Sequence, residues 1–221
     1  MNGGPHPVVP GSLGVFGGTF DPIHLAHLAV AQEAAESVGL ERILFIPAGQ
    51  PPHKPGRVIT SAEHRLAMVE LAIAGNDRFA VDRIELDREG PSFTVDTLEA
   101  LHAGRRTAGA PPNLALILSM DAYVDLMTWR TPRRIVELAR LVVAPRGGYP
   151  DAGPDFLAEQ MPDIPDRAGR TTFLDSPRLW LSGSELRRRA AAGRSLRYLV
   201  PDAVAAYIGD HALYRNQRRN S

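Results

Sequence analysis

The sequence predicts an α/β chain, a doubly wound parallel sheet with helices on both faces and a small helical C-terminal part. Three observations predict it. Short apolar runs of strand length alternate with stretches of helical periodicity. Glycine and proline punctuate the joins between them. The chain has 221 residues, 44% of them hydrophobic, which is ample for one sizeable core. Strand–helix alternation of this kind implies a Rossmann-like arrangement, because parallel neighbours need a crossover that a helix supplies.

Element by element, "LGVF" at 13–16 reads as a buried strand, and 24–38 as a helix ending before Gly39. "RILFIPA" at 42–48 is a second strand. Prolines and glycines make 49–59 a loop. Thr60 and Glu63 have capping-box spacing ahead of a helix that closes at Gly75. Residues 78–89 read as one strand or two short ones, and 94–104 as a helix closed by Gly104. "LALILS" at 114–119 and "ARLVVAP" at 139–145 are strands flanking a helix at 132–139 with Pro in its first turn. Residues 146–170, rich in Pro, Gly and Asp, read as a surface excursion; 182–193 and 201–210 close the fold as helices. One domain is expected over 13–214, with 1–12 a flexible leader and 215–221, carrying Arg215, Arg218 and Arg219, a basic tail.

Bulk chemistry narrows the function classes. With 25 basic and 25 acidic residues the formal net charge is zero, so no overall field favours nucleic acid or an anionic membrane. There are no cysteines, which removes disulfides, thiolate metal sites and one class of nucleophile. No apolar run approaches the ~18 residues of a membrane span, and 1–12 lack the pattern of a secretion signal. The cytoplasm is the expected compartment.

The most informative stretch is "GVFGGTFDPIHLAHLAVAQEA" at 14–34. Gly17 and Gly18 follow the first strand, and glycine allows positive φ and close ligand approach. Thr19, Phe20 and the Asp21-Pro22 turn lead to His24 and His27 in the first helical turn, at i and i+3 on one face. A helix start offers unpaired N–H groups and partial positive charge, which suits phosphate. The stretch also sits at the carboxyl end of a strand, where open parallel sheets bind ligands. A tight turn with a surface histidine pair is the simpler alternative; the joint arrangement favours a phosphate cradle.

Other candidates are individually weaker. Ser182 and Glu185 in "SGSELRRR" have capping-box spacing, so a second helix start is expected, with Ser184 and Arg187 in its first turns. A guanidinium there can hold phosphate oxygens bidentately; Arg188 and Arg189 point elsewhere and read as solvated. Ser92 and Thr94 precede a helix that either could cap. Trp129 could stack on a cationic ring or fill core, and Trp180 is assigned to the core. His64 and His102 read as ordinary surface residues. Metal-binding histidine pairs on helices usually stand at i and i+4, so no zinc is expected at His24 and His27.

"GGTFDPIHLAHL" resembles the signature of the nucleotidyltransferase α/β-phosphodiesterase superfamily. "PPHK" (51–54), "GPSFTVDTL" (90–98), "MTWR" (127–130) and "LSGSELR" (181–187) follow in the order seen in bacterial nicotinate mononucleotide adenylyltransferases. The resemblance runs from Leu13 to Tyr214. It implies transfer of the adenylyl group of ATP to nicotinate mononucleotide, with Mg²⁺ carried mainly by ATP. It implies His24, His27, Arg187 and Lys54 as the catalytic set, and Gly17, Gly18, Thr19, Phe20, Asp121, Ser182 and Ser184 with them around ATP. It places His53, Lys54, Ser92, Thr94, Trp129 and Arg130 around the pyridine nucleotide. Ala26 stands where the family has glycine, Ser119-Met120-Asp121 where it reads G-x-D, and Ser184 in place of a common threonine. The expected partners are these two nucleotides, with neither nucleic acid nor membrane, and a homo-oligomer is left open. The superfamily signature alone also allows a phosphopantetheine or polyol phosphate acceptor, or a catalytically silent nucleotide-binding protein.

Overall fold

The computed structural model describes residues 6–50, 59–147, 152–153, 155–164, 170–177 and 179–215. In chain order the elements are β1 (Val9–Gly18), α1 (Leu25–Ser37), β2 (Leu40–Pro47), α2 (Ala62–Ile73), β3 (Phe79–Val81) and α3 (Thr94–Thr107). Then come β4 (Asn113–Ser119), α4 (Met120–Val124), a 3₁₀ turn (Asp125–Thr128), α5 (Pro132–Leu138), β5 (Ala139–Ala144), α6 (Phe156–Gln160), β6 (Thr171–Phe173), α7 (Gly183–Ala191) and α8 (Asp202–Asp210).

The six strands form one sheet in the order β3-β2-β1-β4-β5-β6, every neighbouring pair parallel. The chain winds outward from β1 in one direction and then from β4 in the other, so the crevice lies beyond the carboxyl ends of these two central strands. Successive side chains alternate between faces as the pleat requires. Leu114, Leu116 and Leu118 of β4 join a core with Val95 and Leu98 of α3 and Ile135 and Val136 of α5. Ala115 and Ile117 join the opposite core, with Ala31, Ala34 and Ala35 of α1, Met68 of α2, Leu186 of α7 and Val204 of α8.

The structure corrects several boundaries. β1 begins at Val9, inside the stretch expected to be a leader, and the His6 N–H bonds the Glu36 carbonyl at 3.0 Å. Gly39 permits this: at φ 65 it turns out of α1, and a Cβ there would lie 2.3 Å from the Pro7 carbonyl oxygen. Ser61, not Thr60, caps α2, accepting from the His64 N–H at 3.4 Å. β3 is three residues long, because the Asp82 side chain captures the Ile84 N–H at 2.9 Å and turns the chain away from the ladder. α3 runs through Gly104 and ends at Thr107, ahead of Gly109 at φ 70. The region 146–170 is not only surface: α6 lies within it, and Leu157, Met161 and Ile164 are buried against the α3–α5 face. No helix among the described residues is long and apolar enough to cross a membrane.

Candidate active site

A cleft of about 850 Å³ opens at the strand-order reversal, within the size range of small-molecule sites. Its floor is the end of β1 and the loop that follows. Gly17 and Gly18 line it without positive φ; that conformation falls on Phe20, at φ 48. Gly17 instead leaves space, with nothing within 4 Å of where a Cβ would project. Thr19 and Phe20 complete this floor.

His24 is the N-cap of α1 and His27 its third residue. Their rings stack at 3.7 Å and 21°. The His24 N–H donates to His27 Nδ1 at 3.2 Å, so neutral His27 carries its proton on Nε2. Phe16 and Phe20 hold the His27 ring edge-on. His24 is buried, and its Nδ1 has no hydrogen-bond partner among the described residues. Burial, helped by the Arg146 charge, lowers its pKa from 6.5 to about 4, so the ring is neutral at pH 7.

Asp21, read from sequence only as a turn former, joins distant parts of the chain. Its carboxylate is buried and accepts from the Tyr214 hydroxyl at 2.8 Å and from the Thr60 N–H at 3.4 Å. Arg187 Nη1 donates to the Asp21 carbonyl at 2.6 Å and stands 3.6 Å from its carboxylate, while Nη2 donates to Ser184 Oγ at 3.2 Å. Arg65 is buried beneath; Nη1 donates to the Thr19 carbonyl at 3.0 Å and Nε to the Thr60 carbonyl at 2.9 Å. Burial lowers the Arg65 pKa, with Asp21 foremost among the charges that oppose the fall. Burial first, then the Asp21 carboxylate, pushes the Tyr214 phenol upward.

On either side of this seam the cleft has a lobe. In the α3 lobe, Glu85, Ser92, Phe93, Thr94, Trp129 and Arg130 form the walls. Neither Ser92 nor Thr94 caps α3. Phe93 is the N-cap, no side chain among the described residues caps it, and Ser92 Oγ instead accepts from the Gln50 N–H at 3.3 Å. Glu85 is buried, accepts from the Thr97 hydroxyl at 2.9 Å, and has its pKa raised by burial. Trp129 is half-buried and packs against the α3–α5 core. Arg130 lies over the Phe93 ring at 4.8 Å and pairs with Asp96 at 3.5 Å.

In the α7 lobe, Asp121 pairs with Arg146 at 3.3 Å, and its Oδ1 is buried without a partner among the described residues. Ser182 caps α7, accepting from the Glu185 N–H at 3.2 Å. Gly183 lets that helix abut the Asp21 loop, since a Cβ there would lie 2.7 Å from the Asp21 carbonyl oxygen. Trp180, assigned to the core from sequence, is 78% exposed and lines this lobe. The apolar residues beside it in sequence suggest burial, but the ring turns outward. Ala26 is on the cleft wall. His53 and Lys54 lie outside the described residues.

Sequence reasoning thus brought His24, His27, Asp121, Ser182, Ser184 and Arg187 to one cleft with Ser92, Thr94, Trp129 and Arg130. It missed Arg65, Glu85, Arg146 and Tyr214. Arg65 carried a legible signal, an arginine on the same helical face as the buried Met68 and Val69.

Comparisons with known proteins agree with this geometry. The Cytidylyltransferase-like family matches residues 15–189. A probable nicotinate-nucleotide adenylyltransferase of Roseiflexus sp. (strain RS-1) is 48% identical over 205 residues, spanning 92% of this chain and 98% of its own. One from Thermus thermophilus is 44% identical over 203 residues, spanning 92% and 99%. A Plasmodium falciparum nicotinic acid mononucleotide adenylyltransferase, solved with NaAD, shares the fold with a TM-score of 0.74 at 18% identity, covering 95% of this chain and 98% of its own. Full-length identity of this order, on a sheet whose crossover cleft gathers the signature residues, means that the chain belongs to the nicotinate-nucleotide adenylyltransferase family.

Proposed function

We infer that the protein transfers the adenylyl group of ATP to nicotinate mononucleotide, giving deamido-NAD and pyrophosphate, a step of NAD biosynthesis. The observation that carries this reading is the stacked His24–His27 pair at the helix start beside the crossover, in a chain that adenylyltransferases match nearly end to end. An oxygen of the mononucleotide phosphate forms a bond to the α-phosphorus, and the bond from that phosphorus to the bridging β-phosphate oxygen breaks, pyrophosphate leaving with the electron pair. The attacking phosphate is ionised near neutral pH, its second pKa being ~6. The reaction then needs no general base, only alignment and neutralisation of charge.

His24, kept neutral, offers an N–H to phosphate oxygen, and His27 offers Nε2–H beside it. Arg187 and the start of α7 at Ser182 and Ser184 face the leaving phosphates, with Gly17, Gly18, Thr19 and Phe20 beneath; Lys54, outside the described residues, is assigned to the same phosphates from the resemblance alone. Asp121 Oδ1 suits a ribose hydroxyl, having no other partner among the described residues. The start of α3, with Ser92 and Thr94, suits the pyridine carboxylate, and Trp129 the ring; Arg130 flanks the acceptor, and His53, outside the described residues, is assigned to it from the resemblance alone. Mg²⁺ comes with the triphosphate. Mg²⁺ characteristically keeps several waters and binds through substrate phosphate oxygens.

A pyrophosphate-release assay with ATP against nicotinate mononucleotide, nicotinamide mononucleotide and phosphopantetheine tests the reading. Release is expected to be fastest with the nicotinate form. Release with phosphopantetheine alone would overturn it.

A further inference from the structure

Trp180 is an aromatic side chain that the proposed chemistry leaves without a task. It is 78% exposed, yet it lines the cleft and is not scattered over the outer surface. Its ring is braced from one side. A Cβ at Gly147 would fall 2.7, 2.8 and 2.9 Å from the indole Cε2, Cδ2 and Cζ2. A point nearly equidistant from three consecutive atoms of a six-membered ring lies over the face of that ring, not beyond its edge. The glycine therefore lets the main chain press flat against one face, where any side chain would collide. Among the described residues the other face is left for a flat partner.

The surroundings give the partner's chemistry. Gly147 follows Arg146, and Arg146 pairs with Asp121 at 3.3 Å, so the indole and the carboxylate with the unpartnered Oδ1 share one wall among the described residues. Two residues after Trp180, Ser182 caps the start of α7. A flat aromatic surface, an acceptor for hydroxyl hydrogens and a helix start with an arginine are the counterparts of a base, a sugar and phosphates. Trp129 belongs to the opposite lobe, tied to α3 through the neighbouring Arg130 and its pair with Asp96. We propose that Trp180, braced by Gly147, is the stacking platform for the base of the nucleoside triphosphate, so that the chain's two tryptophans divide the two substrates between them. This rests on the adenylyl-transfer reading and assigns one residue within it.

The chain has only two tryptophans, so their emission can be separated. In Trp129→Phe, α,β-methylene-ATP should quench the remaining Trp180 emission saturably, with a midpoint matching the calorimetric Kd. In Trp180→Phe the same analogue should leave Trp129 emission unmoved, while nicotinate mononucleotide changes it. Trp180→Ala should raise KM for ATP on the order of ten-fold, the size of a lost base–aromatic stack. KM for nicotinate mononucleotide should stay within about two-fold, and the thermal midpoint should hold, since exposed substitutions scarcely move stability. Analogue binding by calorimetry with no response from Trp180, or an unchanged KM for ATP in Trp180→Ala, would overturn the assignment and leave adenylyl transfer standing. No analogue binding to the wild-type protein would overturn both.

Discussion

The α3 lobe is pinned from behind, whereas the α7 lobe presents its groups from a rim. In the first, Glu85 holds Thr97, Ser92 holds Gln50, and Trp129 leans on core residues. In the second, Arg146 and Trp180 are exposed, and Asp121 keeps one oxygen without a partner among the described residues. The difference teaches where each lobe's shape comes from. The α3 lobe is made by buried polar bonds that cost stability if broken. The α7 lobe has fewer such bonds: Arg146 and Trp180 are exposed, and the buried Asp121 Oδ1 has no partner among the described residues. Between them runs the seam of His24, His27 and Asp21, which lines the same cleft.

The largest test falls on the seam. His24→Ala should lower kcat by on the order of 10²–10³, as loss of a preorganised donor to developing charge does. Turnover at the wild-type rate would show that the seam has no part in chemistry. The same residue links the seam to pH. Its imidazole takes a proton near 6.5 in the unfolded chain and near 4 in the folded one. Between these values the unfolded state binds more protons, so stability is lost as pH falls from 6.5 toward 4, by about 3 kcal/mol in total. Denaturant titrations at pH 7 and pH 4.5 should show this loss in the wild type and a flatter profile in His24→Gln.

Next in size is the clasp that ties the seam to the C-terminal helices. Tyr214→Phe removes one buried bond to a charged acceptor, and should cost about 1.5–3 kcal/mol in urea unfolding. Substrate KM values in both lobes should shift together, since Asp21 belongs to neither alone. A shift confined to one lobe would break the comparison. The smallest effect sharpens it. Trp129→Ala should raise KM for the pyridine nucleotide by the equivalent of about 0.5–2 kcal/mol and leave KM for ATP nearly unchanged. Equal changes in both would make Trp129 a core residue only.

The layered architecture was legible because strand runs and helical periods are local signals. Apolar residues at 114–118 give a strand whichever way the rest of the chain runs. The cluster after β1 was legible for the same reason, its glycines, aspartate and histidines lying within one short stretch that lines the cleft. What escaped was the closure between remote segments. Arg187 reaches Asp21 across 166 residues and Tyr214 across 193, and no spacing rule spans such distances. Side-chain direction escaped as well. Trp180 sits among apolar neighbours that suggest burial, but the glycine that seats its ring is thirty-three positions earlier. Ends of elements slipped by small amounts where side chains competed with the ladder, as Asp82 does after β3.

The Tyr214–Asp21 bond has a consequence for how the protein is made. Asp21 leaves the ribosome 193 residues ahead of its partner, a delay of roughly 10–40 s at ordinary synthesis rates of about 5–20 residues per second. Throughout that interval the nascent chain can pair β1 with β2 and bury α1, but the acidic side chain beside its imidazoles goes without this phenol. A chain that ends short of Tyr214 lacks the phenol from which Asp21 accepts, so the floor of the cleft depends on a residue made 193 positions after it.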